Sequence, residues 1–198
     1  MKIIKVKTNS KNYDIKVGHD LLGSIPLKKL VSQKDVLLIT DSKVPEFLIN
    51  KLKRNLKNSS SKKINSIKIN ASENNKNMIY LTRVYDFLIR NNYSRDCIIF
   101  GIGGGITCDM AGFISSTFLR GVDFVLIPST LLSQVDASIG GKTGVNHKGF
   151  KNMIGTFNQP SQVIVDTKFL KTLSKLEIQC GLMEVIKHGL ISDKIFFS

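Results

Sequence analysis

The alternation of short β-branched runs with helical patterns constrains the fold of this chain most strongly. VLLIT (36–40) precedes PEFLINKLKRNLKN (45–58), and KINSIKIN (63–70) precedes KNMIYLTRVYDFLIRNN (76–92). Further strand patterns occupy 97–105, 123–129 and 162–166, and helical patterns occupy 106–121, closed by Gly121, and 130–139. Strands that alternate with helices form right-handed βαβ units and a mainly parallel sheet covered on both faces. The sequence therefore predicts an α/β domain over residues 1–173.

Both ends of the chain depart from this alternation. Residues 2–7 and 12–17 alternate apolar and polar side chains, which predicts an antiparallel hairpin at one edge of the sheet. Residues 174–198 form one helical pattern with no strand after it. We interpret this segment as the start of a helical second domain that is largely absent, so that IFF (195–197) has nothing here to pack against.

Composition and charge narrow the function classes. With 42% hydrophobic residues the chain is expected to fold, and no apolar run approaches the roughly 20 residues of a membrane-spanning helix. The net charge of +14 comes mostly from lysines spread among Ile and Asn, so we expect an anionic small molecule rather than a nucleic-acid partner. Cys97, Cys108 and Cys180 are far apart and the N-terminus reads as a strand, which predicts a cytoplasmic protein.

The glycines at 101–105 follow a strand and precede a helix, which is where α/β sheets bind phosphate groups. Their spacing differs from G-x-G-x-x-G, and a tight turn with positive φ would also explain them. Asp41, at a strand end, is suited either to a ribose or to capping the next helix. Glu73 and Lys76 either face a nucleotide from the same edge or simply start a helix.

The segment GGKTGVNHKGFKNMIGTFNQP (140–160) is rich in glycine and lysine. Its apolar residues are too scattered for a regular helix or strand, so we interpret it as a loop wrapped around an anion. Lys142, Lys151 and Asn152, with Arg120 ahead of them, are donors of the kind that hold a phosphate. Solvated loop charges would give the same pattern.

Glu184, Lys187 and His188 lie at i, i+3 and i+4 and share a helical face, which we expect to be buried or to line a cleft. Glu184 and His188 are both possible metal ligands, but a catalytic Zn²⁺ needs three protein ligands. His19 and His147 lie elsewhere, so no other residue is expected to complete the site. A structural Glu–Lys pair is the alternative.

Three stretches together resemble the 3-dehydroquinate synthase family, namely residues 101–147, KNMIGTFNQP (151–160) and GLMEVIKHGLI (181–191). The resemblance covers roughly residues 36–198, and LLSQVDASIGGKTGVN (131–146) is its most specific part. It implies an NAD-binding α/β domain with a Rossmann-like sheet, and Zn²⁺ (or Co²⁺) at the junction with a helical metal-binding domain. The implied reaction converts the phosphorylated sugar acid DAHP to 3-dehydroquinate and phosphate in the shikimate pathway of aromatic amino acid biosynthesis. In that family NAD⁺ oxidises the substrate transiently, phosphate leaves, the hydride returns and an aldol step closes the ring.

The resemblance also assigns residues to the site. The implied NAD contacts are Asp41, Ala71, Ser72, Glu73, Asn74, Asn75, Lys76, Gly105, Ile106, Thr107, Cys108, Asp109, Ser129, Thr130, Lys142, Lys151, Phe169, Leu170, Lys171 and Thr172. The implied catalytic and substrate-binding residues are Asp136, Lys142, Asn152, Glu184 and Lys187. Glu184 would be the first zinc ligand, and His188 matches a position that is not a ligand. Arg120 resembles an arginine that reaches a neighbour's substrate phosphate, which implies a homodimer.

The chain departs from the family in small substitutions and in length. Ser129 stands where Thr is usual, Cys108 replaces a small residue, and Ala71 stands where Gly is common. Family members continue through a helical domain that supplies two histidine zinc ligands, so we expect this chain to be a fragment that is inactive alone. The alternatives are a metal-dependent NAD polyol dehydrogenase of the glycerol dehydrogenase type and a noncatalytic NAD-binding half-enzyme.

Overall fold

The computed structural model describes residues 1–192 and 196 and contains one large sheet and one separate hairpin. The strands are β1 (Lys2–Val6), β2 (Tyr13–Gly18), β3 (Asp35–Asp41), β4 (Lys63–Ile69), β5 (Ile98–Gly103), β6 (Asp123–Pro128), β7 (Lys142–His147), β8 (Phe150–Phe157) and β9 (Gln162–Asp166). The α-helices are α1 (Lys28–Val31), α2 (Glu46–Asn58), α3 (Met78–Arg90), α4 (Gly105–Thr117) and α5 (Lys175–Ser192). Single 3₁₀ segments lie at Phe118–Arg120 and Thr167–Thr172, and a π-helical segment lies at Ser133–Ala137.

The large sheet has seven strands in the order β1-β2-β9-β6-β5-β3-β4. All neighbours run parallel except β1 and β2, which form the predicted antiparallel hairpin at the edge. The chain moves outward from β3 to β4 and then returns to the other side of β3 with β5. Open α/β sheets bind ligands at such a switch point, beyond the carboxyl ends of the strands.

Helices cover both faces of the sheet, as the alternating pattern predicts. Leu37 and Ile39 of β3 pack in one buried cluster with residues of α3 and α4. Val36 and Leu38 point the other way and pack in a second cluster with α1 and α2. Because successive side chains of a strand point to opposite faces, one continuous apolar run supplies both cores.

The segment 140–160 is not an irregular loop, and this interpretation was wrong. It forms an antiparallel hairpin in which β7 and β8 are joined by Lys148 and Gly149, at φ 47° and 84°. Positive φ at both central residues is typical of a two-residue type I′ turn. These two strands pair through their backbones without a regular alternation of apolar and polar side chains, so the sequence pattern did not predict them.

Two helical predictions also change. The pattern at 130–139 forms a π-helical turn at Ser133–Ala137 rather than a regular α-helix. The predicted C-terminal helix corresponds to α5, and its continuation through 193–195 and 197–198 lies outside the described residues. Within residues 1–192 and 196, no helix combines the length and apolar character needed to cross a membrane.

Candidate cofactor and substrate cleft

The predicted site residues gather at one edge because they follow the carboxyl ends of parallel strands. Asp41 ends β3, the loop 70–77 follows β4, and Gly103 ends β5. Ser129 and Thr130 follow β6, and the 3₁₀ segment Thr167–Thr172 follows β9. Parallel pairing places all these ends on the same side of the sheet.

The glycine turn between β5 and α4 lies at this edge in close contact with its neighbours. A Cβ added to Gly103 would lie 2.4 Å from Oγ1 of Thr107 and 3.0 Å from Cβ of Asp41, so only glycine fits. Helix α4 begins after Gly104 without a side-chain cap, and the buried hydroxyl of Thr107 has no hydrogen-bond partner among the described residues. The uncapped N–H groups and the positive end of the helix suit an anion.

Beside this turn lies a cavity of about 250 Å³, which is lined by residues that follow three different strands. Asp41, Ser129, Thr130, Phe169 and Thr172 all line it. A Cβ added to Gly104 would lie 3.3 Å from Thr130, which places the glycine turn against this cavity. Five of the residues assigned to the cofactor therefore share one surface.

A buried ammonium group connects the loop 70–77 to α4 and to the hairpin. Lys76 is only 4% exposed, and its Nζ lies 2.5 Å from Oδ2 of Asp109 and 2.5 Å from Oδ1 of Asn152. Burial raises the pKa of the Asp109 carboxyl, and the hydrogen bond and charge of Lys76 oppose this change only in part.

The hairpin supplies a second cavity, of about 360 Å³, lined by Asp109, Lys142 and Asn152 among others. Asn146 holds the hairpin to the loop 70–77. Its Nδ2 donates to Oε2 of Glu73 at 2.8 Å, and its backbone N–H donates to the carbonyl of Lys76 at 2.7 Å. The hydrogen bond from Asn146, followed by the charge of Lys151, lowers the pKa of Glu73 despite some burial. Sequence reasoning missed Asn146, because its role exists only once the hairpin is formed.

Glu73, Asn74 and Lys151 line a third and larger cavity, of about 820 Å³, with the tip of the hairpin. Lys151 Nζ lies 3.4 Å from Oε1 of Glu73, so these two predicted cofactor residues pair with each other across the cavity. Both side chains are well exposed and available to a ligand.

Helix α5 brings Glu184 to the π-helical turn. The side chain of Glu184 is 15% exposed, its carboxylate contacts Lys187 Nζ, and its Oε1 lies 3.3 Å from Nε2 of His188. Ligand atoms of Asp136, Glu184 and His188 all lie within 4.8 Å of one another. The sequence pattern indicated only Glu184 and His188 as neighbouring possible ligands, and the fold adds Asp136 to them from a distant part of the sequence.

Several predicted residues lie away from these cavities. Arg120 is exposed after the C-terminal end of α4, at φ 67°, and forms no ion pair with any described residue. Cys108 is 1% exposed, and its burial raises the pKa of the thiol, so its side chain belongs to the core. The remaining assigned positions do not line these cavities. Ala71, Ser72 and Asn75 lie in the loop after β4, Gly105 and Ile106 begin α4, and Leu170 and Lys171 lie in the 3₁₀ segment after β9.

Comparison with known proteins decides the family. A family model described as 3-dehydroquinate synthase N-terminal matches residues 66–180. The chain belongs to the 3-dehydroquinate synthase family. It is 45% identical over 199 residues to the 3-dehydroquinate synthase of Pelagibacter ubique (strain HTCC1062). That alignment covers 98% of this chain and 53% of the relative, so the chain spans about half the length of such family members.

Solved structures agree with this family. The chain has a TM-score of 0.84 and 30% identity to 2-epi-5-epi-valiolone synthase from Streptomyces hygroscopicus subsp. jinggangensis 5008, solved with NAD⁺ and Zn²⁺ bound. This match covers 98% of the chain and 53% of the solved structure. A 2-deoxy-scyllo-inosose synthase complexed with carbaglucose-6-phosphate, NAD⁺ and Co²⁺ shares the fold, with a TM-score of 0.88 and 22% identity over 96% of this chain and 52% of that one. The Rossmann-like α/β architecture is therefore shared with sugar phosphate cyclases.

Proposed function

We propose that this chain is the NAD-binding part of a 3-dehydroquinate synthase, which converts DAHP to 3-dehydroquinate and phosphate. One observation carries the proposal: five residues assigned to the cofactor from three different strand ends line one cavity beside the glycine turn. Membership of the family and the NAD⁺ bound in the valiolone synthase support it.

The cofactor residues follow from the chemistry of the cleft. The uncapped start of α4 suits a diphosphate, and the carboxylate of Asp41 suits the hydroxyls of a ribose. When bound, NAD⁺ accepts a hydride from the substrate and returns it, and a divalent metal polarises the oxygen of a developing carbonyl. The protein orients the substrate against these groups.

The substrate residues lie in the hairpin cavity and around α5. Lys142 and Asn152 offer a cation and an amide to an anionic substrate, while Asp136 and Lys187 lie near Glu184. We assign Glu184 as a ligand of Zn²⁺ or Co²⁺, since its carboxylate is mostly buried and has Asp136 and His188 close by. The remaining ligands would come from outside this chain.

The finer assignments rest on the family. We assign residues 1–173 to the NAD-binding domain and residues 174–198 to the start of the helical domain. We place the enzyme in the cytoplasm, and all three cysteines are free, which fits a reducing compartment. We also propose a homodimer in which Arg120 reaches the partner's substrate. The partner that the site fits is a small phosphorylated sugar acid rather than nucleic acid or membrane.

A polyol dehydrogenase of the glycerol dehydrogenase type is the main alternative. The hairpin cations argue against it, because a polyol has no phosphate for Lys142 to bind. The two reactions differ in products, since a dehydrogenase accumulates NADH whereas the synthase releases phosphate without net reduction. A noncatalytic NAD-binding half-enzyme would bind NAD⁺ and do neither, which is also the behaviour we expect of residues 1–198 on their own.

Calorimetric titration of the 198-residue chain with NAD⁺ tests the cofactor site. We expect saturable binding, and Asp41→Asn should weaken it about 10- to 100-fold, because a charged hydrogen bond to the ribose is lost. Asp96→Asn is the matched control, since Asp96 is exposed beyond the opposite ends of the strands. Equal NAD⁺ affinity in wild type and Asp41→Asn would contradict the assignment of this cavity to the ribose.

A further inference from the structure

The amide of Asn152 has a fixed orientation, and Lys76 is the cause. A lysine ammonium donates hydrogen bonds and accepts none, so the group of Asn152 that lies 2.5 Å from Nζ must be its carbonyl oxygen. The NH₂ group is then turned away from Lys76. It has no acceptor among residues 1–192 and 196, and Asn152 lines the 360 Å³ cavity.

The backbone of Asn152 is fixed as well. It has a φ of 55°, in the left-handed region, and its N–H donates to Oδ1 of Asn146 at 3.0 Å. Asn146 is itself anchored to the loop 70–77 by two bonds to Glu73, at 3.1 and 2.8 Å. The side chain of Asn146 and the ammonium of Lys76 therefore both hold the hairpin against the loop 70–77.

Lys76 is well suited to a rigid role. Its side chain is 5% exposed, and Asp109 on α4 holds its Nζ from a second direction at 2.5 Å. Separating a buried ammonium from its carboxylate partner costs much free energy. The side chains of Lys76, Asp109 and Asn152 therefore keep one arrangement.

We propose that Lys76 is a positioning residue that turns the NH₂ group of Asn152 into the cleft as a hydrogen-bond donor for an oxygen of the substrate. The inference rests on the proposed function in so far as DAHP is the ligand of this cleft. Lys76 therefore acts on the substrate through Asn152, in addition to any contact with the cofactor.

Three variants of the 198-residue chain separate the parts of this proposal. Lys76→Met removes the ammonium and keeps the length of the side chain. Asn152→Asp keeps an oxygen for Lys76 and tolerates positive φ, but lacks the NH₂ group. Lys63→Met is the control, because Lys63 is also partly buried and bonded, to Asn91 and Asp35, but lies at the other end of β4.

Amide hydrogen exchange by NMR reports on the position of the hairpin without any ligand. In Lys76→Met the backbone amides of Asn146 and Asn152 should exchange about 10- to 100-fold faster than in wild type, as expected for the loss of charged hydrogen bonds. Asn152→Asp and Lys63→Met should leave exchange at position 146 within about twofold of wild type. Unchanged exchange in Lys76→Met would overturn the positioning role.

Binding of DAHP to the chain saturated with NAD⁺ reports on the donor. Both Lys76→Met and Asn152→Asp should weaken DAHP binding about tenfold or more, and Lys63→Met should not. Full affinity in Asn152→Asp, or no binding of DAHP to the NAD⁺-loaded wild type, would overturn the donor role. Failure of the wild type to bind NAD⁺ would count against the proposed function, while the exchange data would still decide the role of Lys76.

Discussion

At the scale of single residues, the carboxylate of Asp166 joins two loops of the backbone. It is fully buried at the end of β9 and accepts hydrogen bonds from the backbone N–H groups of Asp20, Leu21, Leu22 and Lys168, at 2.7–3.3 Å. These bonds hold the loop after β2 against the loop after β9. Since Phe169 and Thr172 follow directly, Asp166 also fixes one wall of the 250 Å³ cavity.

Asp166→Ala should lower the free energy of unfolding by about 3 to 5 kcal/mol, because it leaves several buried N–H groups without an acceptor. Urea denaturation at pH 7 measures this change. Asp96→Ala, at an exposed position, should stay within about 0.5 kcal/mol of wild type. A loss below about 1 kcal/mol in Asp166→Ala would show that water or a rearranged loop satisfies these groups instead.

At the scale of elements, the approach of α5 to the π-helical turn sets the position of Glu184. A Cβ added to Gly181 would lie 2.5 Å from Cβ of Leu131 and 2.7 Å from the backbone nitrogen of Leu132. The backbone of Leu132 cannot move aside for a Cβ as a flexible side chain could. The close approach therefore requires glycine, and it brings the next turn of α5 to Asp136.

Gly181→Ala tests this contact because two effects oppose each other. Alanine favours a helix interior by about 1 kcal/mol over glycine, whereas overpacking costs about 1 to 3 kcal/mol. Since the clash includes backbone, we expect a net loss of about 1 kcal/mol in urea denaturation and faster amide exchange along α5. Leu176→Ala, at a position that is 69% exposed on the same helix, is the control and should have little effect. A more stable Gly181→Ala would show that α5 can shift without cost.

The elements also differ in how well the sequence predicts them. Strands β3 and β5 are continuous apolar runs and α2 is clearly amphipathic, so local patterns suffice for the sheet and its helices. The hairpin has exposed residues along most of β8, and its stability comes from contacts with α4 and the loop 70–77, which no local window contains. The family resemblance assigned residues near the strand ends to a site, and the structure places five of them around one cavity. The contacts of Asn146 with Glu73 and of Asp136 with Glu184 exist only in the folded chain, so local patterns could not predict them.

At the scale of the whole molecule, α5 presents apolar side chains that the described chain leaves uncovered. Leu182, Met183, Ile186 and Leu190 are 42–64% exposed. Exposed apolar surface of this kind is typical of an interface. The chain also spans about half the length of its relatives, and Glu184 is its one assigned metal ligand.

We therefore expect the 198-residue chain to bind NAD⁺ but to release no phosphate from DAHP, even with zinc supplied. A catalytic zinc site requires three protein ligands, and the proposed function assigns only Glu184 of this chain to the metal. A phosphate-release assay measures this, with the full-length relative from Pelagibacter ubique as the positive control under the same conditions. Phosphate release by the chain that Glu184→Gln abolishes would show that Asp136, Glu184 and His188 suffice for the metal. Release without NADH accumulation would at the same time exclude the polyol dehydrogenase.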